Sequence, residues 1–278
     1  MILMISDDTL RALAMRLAKV SGVVGVLLGG SRARGDDVAT SDVDLGLYYR
    51  RPLDVAALGA LAREVAGPRA RVTEPGEWGP WVDGGSWLTI DGGAVDWIYR
   101  DMDRVRAAWA DAVEGRFDFH FQVGHPLGVP DFAYAGEVAL GIVLADPTGE
   151  LTDLREQTQE YPRRLAIAVV DRLWEAPFLI QAARKAVSRQ DTAYIAGCLF
   201  RVMGLCAHAV HARAGRWLIN EKGAVVSAGR LRCAPEGFAD QVHRLLGSVG
   251  TSRAELTAVL DAAATLVDNV QAACRAGC

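Results

Sequence analysis

Residues 23–49 read VVGVLLGGSRARGDDVATSDVDLGLYY, and this stretch decides the fold of the first half of the chain. Residues 23–28 form a short, Val-rich apolar run that ends at Gly29-Gly30, a pattern typical of a buried strand entering a tight turn. Ser31 is predicted to open a short helix, and residues 43–49 are predicted to form a second strand. The stretch therefore predicts a strand, a turn, a short helix and another strand in close succession.

The turn in this stretch has the chemistry of an anion site. Gly29 and Gly30 let the backbone approach a ligand closely, because glycine has no Cβ. A helix that begins at Ser31 would direct unpaired N–H groups at an anion, and a triphosphate suits that position. Ser31 can add a hydroxyl donor, and Arg32 or Arg34 can add positive charge toward the phosphates or a leaving pyrophosphate.

Asp42 and Asp44 are separated by one residue, so on a strand their carboxylates project from the same face. They can therefore share one metal cluster. Transfer of a phosphate group requires neutralisation of the triphosphate charge and activation of an attacking hydroxyl, which two Mg²⁺ ions roughly 3.5–4 Å apart provide together. A third carboxylate is then expected from a neighbouring strand.

Asp96 is the candidate for that third carboxylate, since it is the single acid in the strand-like run VDWI at 95–98. An unpaired buried charge is costly, and a metal ion at Asp96 would remove the cost. Asp91 and Asp101 lie close by in the sequence and stay open as alternatives.

The pattern formed by Gly30, Ser31, Asp42, Asp44 and Asp96 resembles that of the nucleotidyltransferase superfamily, which includes DNA polymerase beta and the aminoglycoside nucleotidyltransferases. The hallmark of that superfamily is a Gly-Ser turn followed by an Asp-x-Asp pair and a distal Asp. The GSRARG form is nearest to the small bacterial and antibiotic-modifying branch. The resemblance covers residues 22–100, and the helical half matches only in general layout.

The resemblance implies a Mg²⁺-dependent enzyme that transfers a nucleoside monophosphate, AMP from ATP being the leading expectation, to a hydroxyl group and releases pyrophosphate. It implies that Asp42 and Asp44 bind both Mg²⁺ ions and that Asp96 binds the catalytic one. The Gly30-Ser31 turn would hold the β- and γ-phosphates. The implied acceptor is a small molecule such as an aminoglycoside-like antibiotic.

Transfer to a macromolecule, a tRNA end or a protein side chain in a toxin–antitoxin type of system, stays open as an alternative. So does a noncatalytic nucleotide-binding partner, although such proteins commonly lose a metal ligand. The general base is also open among Asp96, Glu137, Asp171 and Glu175.

A second group of weaker signals lies outside the motif. Asn220-Glu221-Lys222-Gly223 resembles the Glu-Lys element that related helical domains use against the triphosphate, which makes Lys222 a candidate ligand; a solvated loop lysine is the alternative. Three tryptophans, Trp78, Trp81 and Trp87, occur in a Gly-rich segment, where they either pack or stack on a base or sugar ring. Arg201 and His208 show a spacing seen in helical nuclease domains, a weak signal.

The element pattern predicts an α+β fold with two domains, a catalytic domain at 1–146 with a mixed sheet flanked by helices and an all-helical bundle domain at 147–278. The predicted elements are helices at 6–20, 55–65 and 105–113, strands at 69–73, 87–90 and 94–99, a helix or strand at 137–144, and helices at 151–188, 193–214, 238–246 and 254–273. Asp91-Gly92-Gly93 is predicted to be a hairpin turn.

The composition narrows the partners and the location. The formal net charge of −4 gives no global basic field, which argues against nucleic acid and anionic membranes as partners. The apolar run 193–212 contains Arg201 and His208, so a buried helix is expected there rather than a membrane span. The five cysteines show no CxxC spacing, and the first residues lack the features of a signal peptide, so a reducing cytoplasm is expected. A homodimer stays open.

Overall fold

A computed structural model of the chain describes residues 5–34 and 42–276. The strands are β1 Val23–Leu28, β2 Val43–Tyr49, β3 Gly85–Ile90, β4 Gly93–Asp101, β5 Phe119–Gln122, β6 His125–Pro130 and β7 Ile142–Ala145. The helices are α1 Asp7–Leu17, α2 Gly30–Arg34, α3 Val55–Ala66, α4 Met102–Val113, α5 Ala133–Leu140, α6 Glu150–Thr158, α7 Arg163–Asp171, α8 Glu175–Ala186, α9 Thr192–Arg213, α10 Ala224–Gly229, α11 Phe238–Gly247 and α12 Arg253–Ala276.

The chain divides into two compact units. Unit 1 consists of Met1–Ala110, Gln122–Gly124 and Asp131–Glu160, and unit 2 of Asp111–Phe121, His125–Pro130 and Tyr161–Cys278. The change of unit therefore falls later in the chain than the predicted boundary at 146. The physical reason is that Leu151 and Leu154 of α6 are fully buried in a hydrophobic cluster of unit 1.

Unit 1 is built on a five-stranded mixed sheet with the strand order β3-β4-β2-β1-β7. β1 runs antiparallel to β2 and to β7, β3 runs antiparallel to β4, and β2 and β4 run parallel. The predicted α+β class, with a mixed sheet flanked by helices and a helical C-terminal part, is confirmed.

The sheet buries one face completely. Leu45 and Leu47 of β2 and Trp97 and Tyr99 of β4 alternate along their strands and are fully buried in a cluster that includes residues of α1 and α3. Asp44 and Asp96 occupy alternate positions on these strands, point to the other face and are half-buried. Tyr48, on that same face of β2, is fully buried in a second cluster with residues of α4, α5 and α6, so the carboxylates lie at the border of a packed region.

Several predicted elements differ from the structure. The predicted helical run 151–188 is divided into α6, α7 and α8, with a break at 160–162 that contains Pro162. Residues 69–73 form no strand, because hydroxyl groups take part of the backbone pairing there: Gly85 N–H donates to Thr73 Oγ1, and the Ser86 hydroxyl donates to the Arg71 carbonyl. Residues 137–144, predicted to be a helix or a strand, contain the end of one and the start of the other, since α5 ends at Leu140 and β7 begins two residues later. The β5–β6 hairpin and α10 were not predicted.

Unit 2 is organised around α9, whose residues dominate the largest buried cluster together with residues of α8, α11 and α12. Among the described residues, α9 is long and apolar enough to cross a membrane by length and composition. However, 61% of the apolar window is buried inside the protein. This burial is the pattern of a core helix, as the polar residues within the run indicated.

Candidate active site

The structure brings Asp44 and Asp96 together in unit 1. Asp44 on β2 is the direct register partner of Asp96 on β4, and the two strands are parallel neighbours. Adjacent strands lie about 4.8 Å apart, so register partners project their side chains side by side from one face. Two of the three predicted carboxylates are therefore adjacent.

A row of four residues crosses the sheet at this level. Trp87 on β3 is the register partner of Asp96, and the N–H of Gly29 donates to the Asp44 carbonyl over 2.8 Å. The order along the row is Gly29, Asp44, Asp96 and Trp87, and we call these residues the site row. The glycine turn thus stands at one end of the carboxylate pair and an aromatic side chain at the other.

Gly30 is required by two separate features of the turn. Its φ is +64°, in the left-handed region that side chains other than glycine rarely adopt. A Cβ at Gly30 would also overlap the Asp44 carboxylate. The turn therefore brings its backbone against the Asp44 side chain, and any larger residue would displace that carboxylate. Ser31 follows in the first turn of α2 and is half-buried.

Of the two arginines of α2, the structure describes the side chain of Arg32. Arg32 donates to the Ile5 carbonyl over 2.7 Å and forms an ion pair with Asp7 at 2.9 Å. Its guanidinium therefore holds the chain before α1, contrary to the expectation that it adds charge to a phosphate. The described part of the chain does not include the side chain of Arg34 or residues 35–41. Arg34 therefore stays a predicted phosphate ligand.

The two carboxylates of the site row, Asp44 and Asp96, form a group of like charges with Asp42. Burial, and after it the charges of Asp44 and Asp42, together raise the pKa of Asp96 to about 6. Asp42 itself is exposed just before β2. The influence of both charges on Asp96 indicates that the three predicted carboxylates occupy one electrostatic neighbourhood.

The fit of this cluster to magnesium can be judged from its donors. Across residues 5–34 and 42–276, no group of three His, Cys, Asp or Glu side chains is already arranged to hold a metal ion. Mg²⁺, however, is usually bound through one or two carboxylates together with substrate phosphates and water. The carboxylate oxygens of Asp44 and Asp96 are donors of the type that Mg²⁺ prefers. The residues therefore suit Mg²⁺ that arrives with a triphosphate, and not a closed cage made of protein alone.

A buried ion pair lies behind the site row. Arg100, four residues after Asp96 on the same face of β4, binds both carboxylate oxygens of Glu137 on α5 at 2.6 and 3.1 Å. Burial lowers the pKa of Arg100, but Glu137 outweighs it and the net shift is upward. A Cβ on Gly29 would lie 3.9 Å from Glu137 Oε1, so the pair also borders the glycine turn. Sequence reasoning missed Arg100, although its even spacing from Asp96 on one strand is a signal for it.

The candidates for the general base are now distinguishable. Glu137 is bound to Arg100. Glu175, in unit 2, pairs with Arg172 and Arg201; burial raises its pKa, but these arginines outweigh burial and the net shift is downward. Asp171 is exposed at the end of α7. Of the four candidates, Asp96 alone lies in the site row.

The Arg201–His208 spacing does not produce a nuclease-like pair. Arg201 is held by Glu175 and by the Leu127 carbonyl at 3.3 Å. His208 is buried with its ring edge-on to Phe119 at 5.1 Å, and burial lowers its pKa to about 3. Arg201 is therefore held in an ion pair, and His208 packs in the interior of unit 2.

Lys222 lies in unit 2, on an exposed loop before α10. Its backbone N–H donates to Asn220 Oδ1 over 2.9 Å, which shapes the loop. The neighbouring Glu221 contacts His125 at 3.3 Å. The role of Lys222 toward a triphosphate stays a prediction.

The three tryptophans have two different environments. Trp81 is partly buried and stacks on Tyr134 with ring centroids 5.7 Å apart. Trp78 stacks on Trp87 at 4.3 Å with an interplanar angle of 15°, while Trp87 itself is 71% exposed. Packing therefore explains Trp81 but not the exposure of Trp87.

Comparison with known proteins adds a structural likeness. No family model matches the sequence, and no curated protein matches it. The chain is similar to a nucleotidyltransferase-like protein from Exiguobacterium sibiricum 255-15, with 13% identity and a TM-score of 0.46. The similarity covers 93% of this chain and 73% of that one. A likeness of this size assigns no family and no activity, so the functional case rests on the geometry of the site row.

Proposed function

We propose that this protein is a nucleotidyltransferase that moves a nucleoside monophosphate from a nucleoside triphosphate, ATP in the first instance, to a hydroxyl group of a small molecule. The observation that carries the proposal is the register pairing of Asp44 with Asp96, with the Gly30 turn against the Asp44 carboxylate. Adjacent carboxylates beside a backbone cradle are what phosphoryl-type transfer requires.

Each residue of the site has a role in this reaction. The Gly30-Ser31 turn takes the β- and γ-phosphates through its backbone N–H groups. Asp42 and Asp44 would hold two Mg²⁺ ions with the triphosphate and Asp96 the one nearest the acceptor; when bound, these ions neutralise phosphate charge and acidify the attacking hydroxyl. Ser31, Arg34 and Lys222 are proposed to contact the phosphates, and Arg34 and Lys222 to offset the charge of the leaving pyrophosphate.

Asp96 also suits the proton transfer. It is the candidate base that lies in the site row, where it can accept the proton of a hydroxyl held at the ion nearest the acceptor. The acceptor oxygen then attacks the α-phosphorus in line, the bond from the α-phosphorus to the bridging oxygen breaks, and pyrophosphate leaves. The acceptor class we propose is a polyhydroxylated antibiotic of the aminoglycoside kind.

The test is transfer of label from [α-³²P]ATP with Mg²⁺ to a panel of acceptors: aminoglycosides, simple sugars, tRNA and protein. The proposal predicts labelled small molecules and stoichiometric pyrophosphate from the wild type. Asp42→Asn combined with Asp44→Asn should reduce the rate by roughly a thousandfold or more, because charge stabilisation is the largest catalytic contribution.

The matched control is Asp268→Asn, which removes an exposed carboxylate of α12 and should leave the rate unchanged. Label on tRNA or protein alone would reject the small-molecule acceptor. Undiminished pyrophosphate release by the double variant would reject the site.

A further inference from the structure

Trp87 presents an apolar ring to solvent at the end of the site row. It is 71% exposed although it occupies a central position of β3, and its neighbour Leu88 is buried on the opposite face. As the register partner of Asp96, it lies about 5 Å from Asp96 between Cβ atoms. The core of unit 1 therefore does not need the indole of Trp87, while the candidate active site lies directly beside it.

Trp78, which stacks on Trp87, lies in a loop that hydrogen bonds hold in place. Gln122 is almost fully buried; its Oε1 accepts from the N–H groups of Trp81 and Val82 at 3.0 and 3.3 Å, and its Nε2 donates to the Trp78 carbonyl over 2.6 Å. The Tyr134 hydroxyl donates to the Trp81 carbonyl over 2.8 Å. These bonds hold the loop, and so the stacked pair of indoles is already formed before any ligand arrives.

The order of the site row decides which part of the reaction Trp87 serves, and this step rests on the proposed function. The phosphates lie at the glycine end and the α-phosphorus beside Asp44. Asp96, one strand farther on, is nearest to the attacking hydroxyl. Trp87 is one strand beyond Asp96, on the side away from the phosphates. It therefore lies where the body of the acceptor must be.

We propose that Trp87, backed by Trp78, binds the acceptor by stacking on the C–H face of a saturated, hydroxyl-bearing ring. An indole offers such a ring a flat apolar surface with a negative face, and Asp96 accepts a hydrogen bond from a ring hydroxyl at its edge. The carboxylates of the site row favour ring substituents that are amines, because an ammonium group is attracted both to them and to the indole face. Trp87 thereby selects cyclic over open-chain acceptors.

The experiment measures ring binding without nucleotide or Mg²⁺, so that it does not depend on transfer. Saturation-transfer NMR is recorded with glucosamine as the cyclic probe and glycerol as the open-chain probe. The wild type should transfer saturation to the ring C–H protons of glucosamine and little to glycerol. Trp87→Ala should weaken glucosamine binding roughly tenfold, and Trp87→Phe, which keeps an aromatic face, should retain part of it.

Trp174→Ala is the control, since Trp174 is a 62% exposed tryptophan of unit 2, outside the site row. It should bind glucosamine as the wild type does. Equal glucosamine binding by the wild type and Trp87→Ala, with unchanged melting temperatures, would overturn the proposal. A loss of ATP affinity in Trp87→Ala would also overturn it, because the indole would then serve the nucleobase. Asp96→Asn should abolish nucleotidyl transfer while the ring C–H signals persist, which separates this proposal from the proposed function.

Discussion

At the scale of single residues, Gly30 connects the proposed phosphate cradle to the proposed metal ligand Asp44. Its positive φ and the closeness of Asp44 leave no room for a side chain. The two constraints act on one position, so a substitution there strains the backbone and displaces a carboxylate at once. A residue that appears in the sequence only as part of a turn thus limits where the Asp44 carboxylate can lie.

Gly30→Ala is therefore predicted to reduce nucleotidyl transfer at least a hundredfold and to destabilise the protein by about 1–3 kcal/mol, the cost of a strained backbone conformation. Pyrophosphate release and thermal denaturation measure the two effects. Gly197→Ala is the matched control, because a Cβ on this exposed glycine of α9 meets nothing within 4 Å. That substitution should stabilise the protein by up to about 1 kcal/mol, since alanine is the better helix former. Normal activity in Gly30→Ala would contradict the role given to the turn.

At the scale of elements, the site depends on how β4 is tied to α5. The Arg100–Glu137 ion pair is nearly buried, with both side chains under 16% exposed, and it joins the strand that carries Asp96 to a helix that borders the glycine turn. Removing one partner of such a pair leaves the other charge buried and unpaired. The pair is therefore a positioning device and not a source of acid or base.

Glu137→Gln should lower the free energy of unfolding by about 3 kcal/mol, because the Arg100 charge loses its buried partner. Chemical denaturation measures the loss. Glu64→Gln is the comparison: it breaks the exposed pair with Arg16 and should cost about 0.5 kcal/mol or less. Equal costs for the two substitutions would show that Glu137 is not a buried partner of Arg100.

How far the sequence predicts the site depends on the range of the contact. The pairing of β3 with β4 follows from the local turn Asp91-Gly92, whose two residues both have positive φ. The register that places Asp44 beside Asp96 joins strands far apart in the chain, and a slip of one residue would turn either carboxylate to the other face. The partnership of Arg32 with Asp7 is equally distant in sequence and was not predictable.

Prolines explain why the strand β6 was not predicted. The β6 strand contains Pro126 and ends at Pro130, residues that lack the N–H needed for a regular ladder, so its sequence does not have a strand signature. Residues 69–73 show the opposite case, since their alternation predicts a strand while nearby hydroxyl groups take the backbone partners. Hydrogen bonds between a side chain and a distant part of the chain cannot be predicted from the periodicity of apolar residues.

At the scale of the whole molecule, the candidate active site and the core built around α9 belong to different units. The site row and its supporting ion pair lie entirely in unit 1, whereas Lys222 belongs to unit 2, whose core is organised around α9. The three candidate carboxylates, Asp42, Asp44 and Asp96, also lie in unit 1. We therefore expect these carboxylates to bind divalent ions together with a triphosphate.

The most direct test is Mn²⁺ binding followed by electron paramagnetic resonance in the presence of α,β-methylene-ATP, an analogue that cannot release pyrophosphate. The wild type and Asp268→Asn should bind Mn²⁺ with equal affinity, and Asp44→Asn and Asp96→Asn should each bind it at least roughly tenfold more weakly, because each loses a carboxylate ligand. Unchanged Mn²⁺ affinity in both site variants would contradict the account.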